Sequence, residues 1–465
     1  MEPLMRNQNH HHCPGLDRLG LDQEGVRVLV VGLGVTGLSV IKFLEKNHIE
    51  VAVIDSRETP PGLDVMEESY RDIAVFTGGF KHAVFEAATH IIVSPGVSLD
   101  EDEIQTAAER GVPVFGDIDL FAVCADAPVA AITGSNGKST VTTLLAKMAE
   151  KAKWDVRAGG NLGTPALDLL SEKPADLYVL ELSSFQLERT SQLKADVVTL
   201  LNISDDHMDR YQTLAAYCEA KERIFYGDGV AVINRQDAVV SSMQLPSGRK
   251  IISFGLDKPQ SSDYGLVASA GHEVMSKGDS PILPVSELKL KGRHNIQNAL
   301  AAMAMADSLN LPKSAQIEVL KVFPGLEHRA QWVADIQGVT WINDSKATNP
   351  GACLAALTGL GGPIILIAGG DGKGADFNVL AKGIEAHVSL LILIGRDAKR
   401  FQAEAAGDKP VVMAENIEEA VQLAASRAVM GETVLLSPAC ASLDQFANYQ
   451  QRGDRFIAAV RELAA

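Results

Sequence analysis

The stretch 128–149 constrains the fold most strongly, because in it an apolar strand passes through a glycine-rich turn into a helix. The turn reads Thr133-Gly-Ser-Asn-Gly-Lys-Ser-Thr140. Its glycines let backbone N–H groups point inward, the helix N-terminus adds the positive end of its dipole, and the lysine adds a cation. The alternative is an ordinary strand–helix turn, since Ile132 stands where the strict Walker pattern has glycine. We predict a phosphate-binding loop made of Gly134, Asn136, Gly137, Lys138, Ser139 and Thr140.

Length and charge bound what the chain can be. Its 465 residues predict about three domains at ~150 residues each. A formal net charge of −17 argues against nucleic acid or an anionic membrane as a partner. The N-terminus has no apolar signal segment, and no run approaches the ~18 apolar residues that suggest a membrane span. We therefore expect a cytoplasmic globular protein.

Five cysteines are scattered along the chain. Their spacing is not that of a metal-binding pair, and we expect no disulfide framework, in keeping with a reducing cytosol. The leader His10-His-His12 beside Cys13 is a candidate metal site. The alternative, a disordered leader or a cloning remnant, is favoured because no other ligand pattern lies nearby. The cysteines are Cys13, Cys124, Cys218, Cys353 and Cys440.

A second glycine-rich turn lies near the N-terminus. An apolar strand at 26–31 passes through Gly32-Leu-Gly-Val-Thr-Gly37 into a helical pattern, and the next strand, at 51–54, ends in Asp55. A G-x-G-x-x-G turn followed by an acid 18 residues after its last glycine predicts a Rossmann-like nucleotide site. The pattern does not say which nucleotide binds. Hydroxyl and guanidinium donors that suit a phosphate lie beside it, at Thr36, Ser56 and Arg57.

Two strands of the central segment end in acidic residues. A strand at 177–180 runs into Glu181, where a carboxylate suits a Mg²⁺ ligand or a water-orienting acid. The alternative for this acid is a helix N-cap. A strand at 197–201 runs into a segment with one histidine and three aspartates, which favours a metal or substrate role for His207 over a structural one.

Lys221 lies on the apolar face of a predicted helix. Helical spacing places it with Leu214, Tyr217, Ile224 and Phe225. One alternative is a side chain that snorkels to water along this surface. The other is a desolvated neutral amine, which could take up CO₂ to form a Mg²⁺-binding carbamate. The sequence leaves both open.

The last third of the chain has strand patterns at 339–342, 364–368, 390–394 and 433–436, separated by helical patterns. This is typical of a doubly wound α/β domain with its ligands at the carboxyl edge of the sheet. Two lysines and two hydroxyls at that edge suit a small dianion, and ordinary surface lysines are the alternative. These residues are Lys346, Thr348, Lys373 and Ser437.

We predict an α/β fold of three domains. Residues 1–116 form a Rossmann-like domain, 117–324 a P-loop-type ATPase domain, and 325–465 a doubly wound α/β domain. The turn-rich region 250–288 is expected to be a short β region without chemistry. Asn295 is either a helix N-cap or an amide that reads a nucleotide base. An ATP-driven ligase, which activates a carboxylate as an acyl phosphate before a nucleophile attacks, needs these parts.

Several motifs resemble those of the Mur ligases, from about Val28 to Phe456. The most specific are Asp344-Ser-Lys-Ala-Thr-Asn349 and Ser437-Pro-Ala-Cys-Ala-Ser442, which are similar to the branch that adds D-glutamate. Ser135, where threonine is common, is a minor departure. The others are the phosphate loop, Glu181-Leu-Ser-Ser-Phe-Gln186, Asp206-His-Met-Asp-Arg210, Lys221, His294-Asn-Ile-Gln-Asn298, His328-Arg329 and Gly369-Gly-Asp-Gly-Lys373.

The resemblance implies an ATP- and Mg²⁺-dependent ligase of peptidoglycan precursor synthesis, hence of cell-wall growth and division. It would join D-glutamate to UDP-N-acetylmuramoyl-L-alanine. The precursor is assigned to Thr36, Asp55, Ser56, Arg57, Ser94, Gly96, Asn161 and His207. Lys138 is assigned to the ATP phosphates, Ser139 and Glu181 to one Mg²⁺, and His207 and the Lys221 carbamate to a second. The adenosine end is assigned to Asn295, Arg329 and Asp344, and D-glutamate to Lys346, Thr348, Lys373, Ser437 and Phe446.

Three other functions would each explain part of the sequence. An NAD-dependent dehydrogenase would explain the first glycine-rich turn and Asp55, but not the second turn or Lys221. A folylpolyglutamate synthase should carry its phosphate loop near the N-terminus, whereas here the Rossmann-like segment 1–116 precedes the loop. A regulatory nucleotide-binding module does not need acids and lysines at so many strand ends. We expect a monomer whose domains close during the reaction.

Overall fold

The structure is a computed structural model that describes residues 13–204, 210–246, 248–269, 271–290 and 292–463. The chain divides into two compact units. The first comprises the described part of Met1–Gly255 with Ser262–Tyr264 and Ala301–Gln316; the second comprises Leu256–Ser261, Gly265–Leu300 and the described part of Ile317–Ala465.

A five-stranded parallel sheet opens the first unit. Its strands are β1 Arg27–Val31, β2 Glu50–Ile54, β3 Ala74–Phe76, β4 His90–Val93 and β5 Val114–Phe115. Its helices are α1 Val35–Lys46, α2 Leu63–Ser69, α3 His82–Ala87, α4 Asp102–Glu109 and α5 Asp117–Cys124. The order β3-β2-β1-β4-β5 reverses direction between β1 and β4, which is where Rossmann-type sheets bind ligands.

Six neighbouring parallel strands in the same unit follow the order β11-β10-β9-β6-β8-β7. They are β6 Val129–Thr133, β7 Val156–Gly160, β8 Leu177–Glu181, β9 Val197–Leu200, β10 Val230–Asn234 and β11 Ile251–Phe254. The helices are α6 Lys138–Lys151, α7 Ser184–Leu187, α8 Leu214–Glu222 and α9 Ala238–Ser242, with 3₁₀ segments at Pro14–Leu19, Ala166–Leu169 and Arg223–Phe225. One buried cluster, which includes Leu44, Phe121 and Leu180, packs across both sheets.

The second unit contains a hairpin and a six-stranded sheet in the order β15-β16-β20-β17-β18-β19. The sheet is parallel apart from its edge pair β15/β16. Its strands are β15 Gln331–Ile336, β16 Val339–Asn343, β17 Ile364–Gly369, β18 Val388–Ile394, β19 Val411–Met413 and β20 Thr433–Leu436; the hairpin is β13 His272–Lys277 and β14 Ser280–Pro284. Its helices are α12 Pro350–Leu360, α13 Ala381–His387, α14 Ala398–Ala405, α15 Ile417–Ala425 and α16 Tyr449–Leu463, with 3₁₀ segments at Val285–Glu287 and Phe377–Leu380.

Three further elements fall across the division of the chain: β12 Tyr264–Ser269, α10 Arg293–Ser308 and α11 Lys313–Val322. Since α10 begins at Arg293, Asn295 lies inside the helix, and its interpretation as an N-cap is wrong. The predicted α/β class with parallel sheets is confirmed. The boundaries near residues 116 and 324 stay predictions. Within the described residues, no helix is long and apolar enough to cross a membrane.

A disulfide joins Cys13 to Cys124, which corrects the expectation drawn from cysteine spacing. The 3₁₀ segment Pro14–Leu19 packs against α5 and brings the two Cα atoms to 5.6 Å, within the range a disulfide spans. Because 111 residues separate the two cysteines in sequence, their spacing could not reveal the pair. Cys218, Cys353 and Cys440 are free.

Candidate active site

The phosphate loop follows β6 at the carboxyl edge of its sheet. Gly137 (φ 86°) and Gly134 (φ 151°) both have positive φ, and a Cβ on Gly134 would lie 3.0 Å from the Cβ of Leu201. The Nζ of Lys138 donates to the carbonyl oxygens of Gly134 at 2.8 Å and Ser135 at 2.9 Å. Only glycine fits this turn, which brings a cation and the N-terminus of α6 together as an anion site.

Asn202, to which the sequence analysis gave no role, holds this loop. Its carbonyl accepts from the Ser135 N–H at 2.9 Å, and its Oδ1 accepts from the Asn136 N–H at 2.8 Å. Its Nδ2 donates to the Asn136 carbonyl at 3.0 Å. The Ser135 hydroxyl lies 3.1 Å from the Tyr217 hydroxyl. The end of β9 therefore fixes the loop after β6, a pairing that only the strand order makes visible.

Glu181 ends β8 beside the loop and is 3% exposed. Its Oε1 accepts from the Asn161 Nδ2 at 2.9 Å, and the Asn161 N–H donates to the Glu181 carbonyl at 2.8 Å. Its Oε2 is buried without a hydrogen-bond partner among the described residues. Burying a carboxylate oxygen without a partner is unfavourable. The unpaired Oε2 therefore fits a site at which a cation binds. Asn161, assigned to the sugar-peptide, orients this carboxylate.

Lys221 is buried, at 1% exposure, rather than reaching water. Its Nζ donates to the Thr133 hydroxyl at 3.2 Å and to the Gly134 carbonyl at 3.0 Å, and it lies 4.8 Å from the Tyr217 ring centroid. The desolvated alternative is thus the one that the packing favours. Among the described residues no cluster of three or more His, Cys, Asp or Glu could hold a metal, and His207 lies in 205–209, outside them.

Asp55 closes the site on the first sheet and is 2% exposed. Its Oδ2 accepts from the Leu33 N–H at 2.7 Å and Arg57 Nη2 at 2.6 Å, and its Oδ1 accepts from Arg57 N and Nε. Burial alone would raise the pKa of Asp55, but these hydrogen bonds hold it below its usual range. With both oxygens engaged, Asp55 orders the glycine-rich turn, and this argues against the dehydrogenase, which needs the acid for a ribose. The assignment of Asp55 to the precursor stays a prediction, and this geometry favours a role through the turn over a direct contact.

Ser94 links the ends of β1 and β4, the two strands between which the order of the first sheet reverses. Its hydroxyl, after β4, donates to the Gly32 carbonyl, after β1, at 2.9 Å. Thr36 lies in the first turn of α1 and is partly buried, whereas Ser56, Arg57 and Gly96 are exposed. The residues assigned to the precursor in this domain therefore surround one edge of the sheet.

In the second unit the structure pairs two residues that were assigned to different ligands. The Ser437 hydroxyl, after β20, donates to the Asp344 Oδ2, after β16, at 2.9 Å, and the Ala330 N–H donates to Oδ1 at 3.0 Å. Burial raises the pKa of Asp344 to about 7, although Ser437, Ala330 and Arg329 oppose the shift. A carboxyl that titrates near neutrality thus lies at the carboxyl edge of this sheet.

The two lysines of this edge differ in their surroundings. The Nζ of Lys346 lies 4.1 Å from the Tyr449 ring centroid, a cation–π contact with a residue that the sequence analysis missed. Lys373 is exposed, in a left-handed conformation (φ 46°). Thr348 is partly buried, and its N–H donates to the Lys346 carbonyl at 2.8 Å. Phe446 is 7% exposed and packs into the core with Phe456.

The adenosine assignments lie in this unit as well. Asn295 is buried in α10 and accepts at Oδ1 from the Asn298 Nδ2 at 3.2 Å. Arg329 is partly buried beside Asp344 and lowers its pKa electrostatically.

Three family models match successive parts of the chain. "Mur ligase MurD-like, N-terminal domain" matches 26–116, "Mur ligase middle domain" 132–306, and "Mur ligase, glutamate ligase domain" 328–440. A UDP-N-acetylmuramoylalanine--D-glutamate ligase from Methylococcus capsulatus is 53% identical over 450 residues, 97% of each chain. The chain belongs to the Mur ligase family. A second relative of that printed name, from Nitrosococcus oceani, is 49% identical over 94% of this Mur ligase and 96% of its own length.

Solved structures agree on the fold of this Mur ligase. The MurF ligase of Thermotoga maritima, determined in complex with ADP, superposes with a TM-score of 0.60 at 16% identity, over 89% of this chain and 95% of its own. The UDP-N-acetylmuramate-alanine ligase MurC of the same organism gives 0.56 at 20% identity, over 94% and 99%. At these identities the likeness establishes the architecture.

Proposed function

We propose that this Mur ligase joins D-glutamate to UDP-N-acetylmuramoyl-L-alanine, with ATP converted to ADP and phosphate. The observation that carries the proposal is about 50% identity, over nearly the whole length, to relatives that bear this activity in their names. The arrangement of Lys138 and Glu181 at the phosphate loop supports it.

The reaction begins when the L-alanyl carboxylate attacks the γ-phosphorus of ATP and ADP leaves. Lys138 and the N–H groups at the start of α6 bind the phosphates and offset charge on the transferring group. Ser139, Glu181, His207 and a carbamate on Lys221 would hold Mg²⁺, which neutralises phosphate charge when bound. The D-glutamate amine then attacks the acyl phosphate, and the tetrahedral intermediate releases phosphate to leave the amide.

The second unit is proposed to supply the other ligand contacts. Lys346, Thr348, Lys373 and Ser437 offer the charges and hydroxyls that two carboxylates need. Asn295, Arg329 and Asp344 are proposed for the adenosine end of ATP. Phe446 packs into the core, which suits a residue that supports this edge of the sheet. Tyr449, whose ring contacts Lys346, is proposed as the aromatic residue that contacts D-glutamate.

A cytoplasmic location and a monomeric state, without nucleic-acid or membrane partners, belong to the same proposal, as do the boundaries near residues 116 and 324. The Cys13–Cys124 disulfide removes cysteine usage as support for a reducing compartment. The location rests instead on the use of ATP and of a UDP-linked precursor.

ADP release, measured by a coupled assay, tests the proposal. It should require ATP, UDP-N-acetylmuramoyl-L-alanine and D-glutamate together. ADP release that proceeds at the same rate without D-glutamate would contradict a ligase.

A further inference from the structure

Two arginines of the first unit converge on one backbone carbonyl, that of Val97. Arg189 donates to it from Nη2, and Arg210 donates to it from Nη2 at 3.2 Å. Arg189 also donates from Nη1 to the Phe185 carbonyl. Arg189 follows α7, downstream of Glu181, and Arg210 follows the segment after β9. Both arginines thus lie in the segments that follow β8 and β9, the strands that end beside the phosphate loop.

Val97 belongs to the other sheet of the unit. It lies in the turn after β4, where its N–H donates to the Ser94 carbonyl at 3.0 Å. Its Cγ2 lies 3.0 Å from where a Cβ on Gly32 would stand. The carbonyl that the arginines hold is therefore in a turn that contacts the glycine-rich loop and contains Ser94 and Gly96, both assigned to the UDP precursor.

The charged groups around this contact hold both arginine side chains in place. The Arg189 side chain is 1% exposed, and burial lowers its pKa to about 10, so it stays charged at neutral pH. Glu188 Oε1 lies 2.9 Å from Arg189 Nη1 and 2.6 Å from Arg210 Nη2, and its Oε2 accepts from the Tyr211 hydroxyl at 2.9 Å. One carboxylate thus orients both guanidinium groups toward Val97.

Asp117 adds a buried acid at this junction, beside the partly buried Glu188. It is 3% exposed, and its Oδ2 accepts from the Gln186 Nε2 at 3.2 Å. Burial raises its pKa to about 6, and the nearby Arg189 opposes the shift. A Cβ on Gly116 would lie 3.1 Å from the Arg189 Cβ, so the chain passes directly over this arginine between the two sheets.

We propose that Arg189 and Arg210 are positioning residues that hold the Ser94–Val97 turn, and with it the UDP precursor, in register with the phosphate loop. In this role they act through the Val97 carbonyl, to which both donate, and not through a contact with ATP or the reacting carboxylate. This inference rests on the proposed function. Its consequence is that precursor affinity depends on these guanidinium groups, whereas ATP and D-glutamate affinity does not.

The test compares Arg189→Met, Arg189→Lys and Arg210→Met with the wild-type chain. KM is measured for each substrate, and Kd for UDP-N-acetylmuramoyl-L-alanine is measured by calorimetry without ATP. Loss of a charged hydrogen bond predicts that both methionine variants raise precursor KM and Kd by about tenfold and leave ATP KM within about twofold. Arg189→Lys, whose ammonium retains the charge, should lie between wild type and Arg189→Met.

Arg249→Met is the matched control. Arg249 is 9% exposed and donates to the backbone carbonyls of Phe225 and Gly227, so its loss removes similar contacts away from the turn. Arg249→Met should lower Tm and leave precursor KM unchanged.

Unchanged precursor KM in both Arg189→Met and Arg210→Met, assayed well below their Tm, would overturn the positioning role. If Arg189→Met does not fold, Arg210→Met decides the question alone. A wild-type chain without D-glutamate-dependent ADP release would instead refute the proposed function, and the positioning role with it.

Discussion

Asn161 donates a 2.9 Å hydrogen bond from Nδ2 to the Oε1 of Glu181, while the Glu181 Oε2 has no hydrogen-bond partner among the described residues. One oxygen is thus oriented by the protein, and the unpaired state of the other supports the Mg²⁺ role proposed for Glu181. This asymmetry is what a Mg²⁺-binding carboxylate beside a phosphate loop requires.

Glu181→Gln keeps the shape of the side chain and removes its charge. We expect ADP release to fall by about 100-fold or more, because a group that balances transition-state charge is lost. Tm should change little or rise, since a buried charge is removed. Glu432→Gln is the control, because Glu432 is also buried and accepts from Ser389 Oγ at 2.7 Å, in the second unit. Equal activity losses in the two variants would contradict the metal role.

Lys221→Ala tests the carbamate. We expect a severe loss of ADP release and partial recovery with acetate, because a small carboxylate can take the place of the missing carbamate in the buried space. Lys221→Met fills that space and should not respond to acetate. Near wild-type activity in Lys221→Ala would refute the carbamate.

Asp344 should make stability depend on pH. Its folded pKa is about 7 against an ordinary value of 3.8, so between about pH 4 and 7 the folded state binds more protons than the unfolded state. The contribution is fully present below the unfolded pKa and is lost as pH rises through the folded value. Urea unfolding at pH 5 and pH 8 should show a smaller decline in Asp344→Asn than in wild type. Equal declines would mean that Asp344 titrates normally.

The Cys13–Cys124 disulfide closes a long loop, so its reduction should destabilise the chain by about 2–4 kcal/mol. Dithiothreitol should lower the Tm of the wild type but not that of Cys13→Ser, which is already lower. Cys218→Ser, at a free cysteine, should retain the wild-type response. Titration of unfolded, unreduced protein should find three thiols; five would show that the bond is absent.

The sequence allowed the strands and the phosphate loop to be predicted because each is a local pattern. Buried runs such as β17 end in glycine or polar residues, and the turn before Lys138 carries its own glycines. Asn202 was missed because its role depends on β9 lying beside β6. Tyr449 was missed for a similar reason, since it lies 103 residues after the lysine it contacts. His207 lies outside the described residues, so its assignment stays a prediction.

The most direct test of the proposed activity offers the enzyme ATP, UDP-N-acetylmuramoyl-L-alanine and a panel of single amino acids, and measures ADP release and product mass. We expect release with D-glutamate and a product heavier by one glutamyl residue, with little or none for L-glutamate, L-alanine, L-lysine or diaminopimelate. Faster release with any of these others, or ADP release without an amide product, would contradict it.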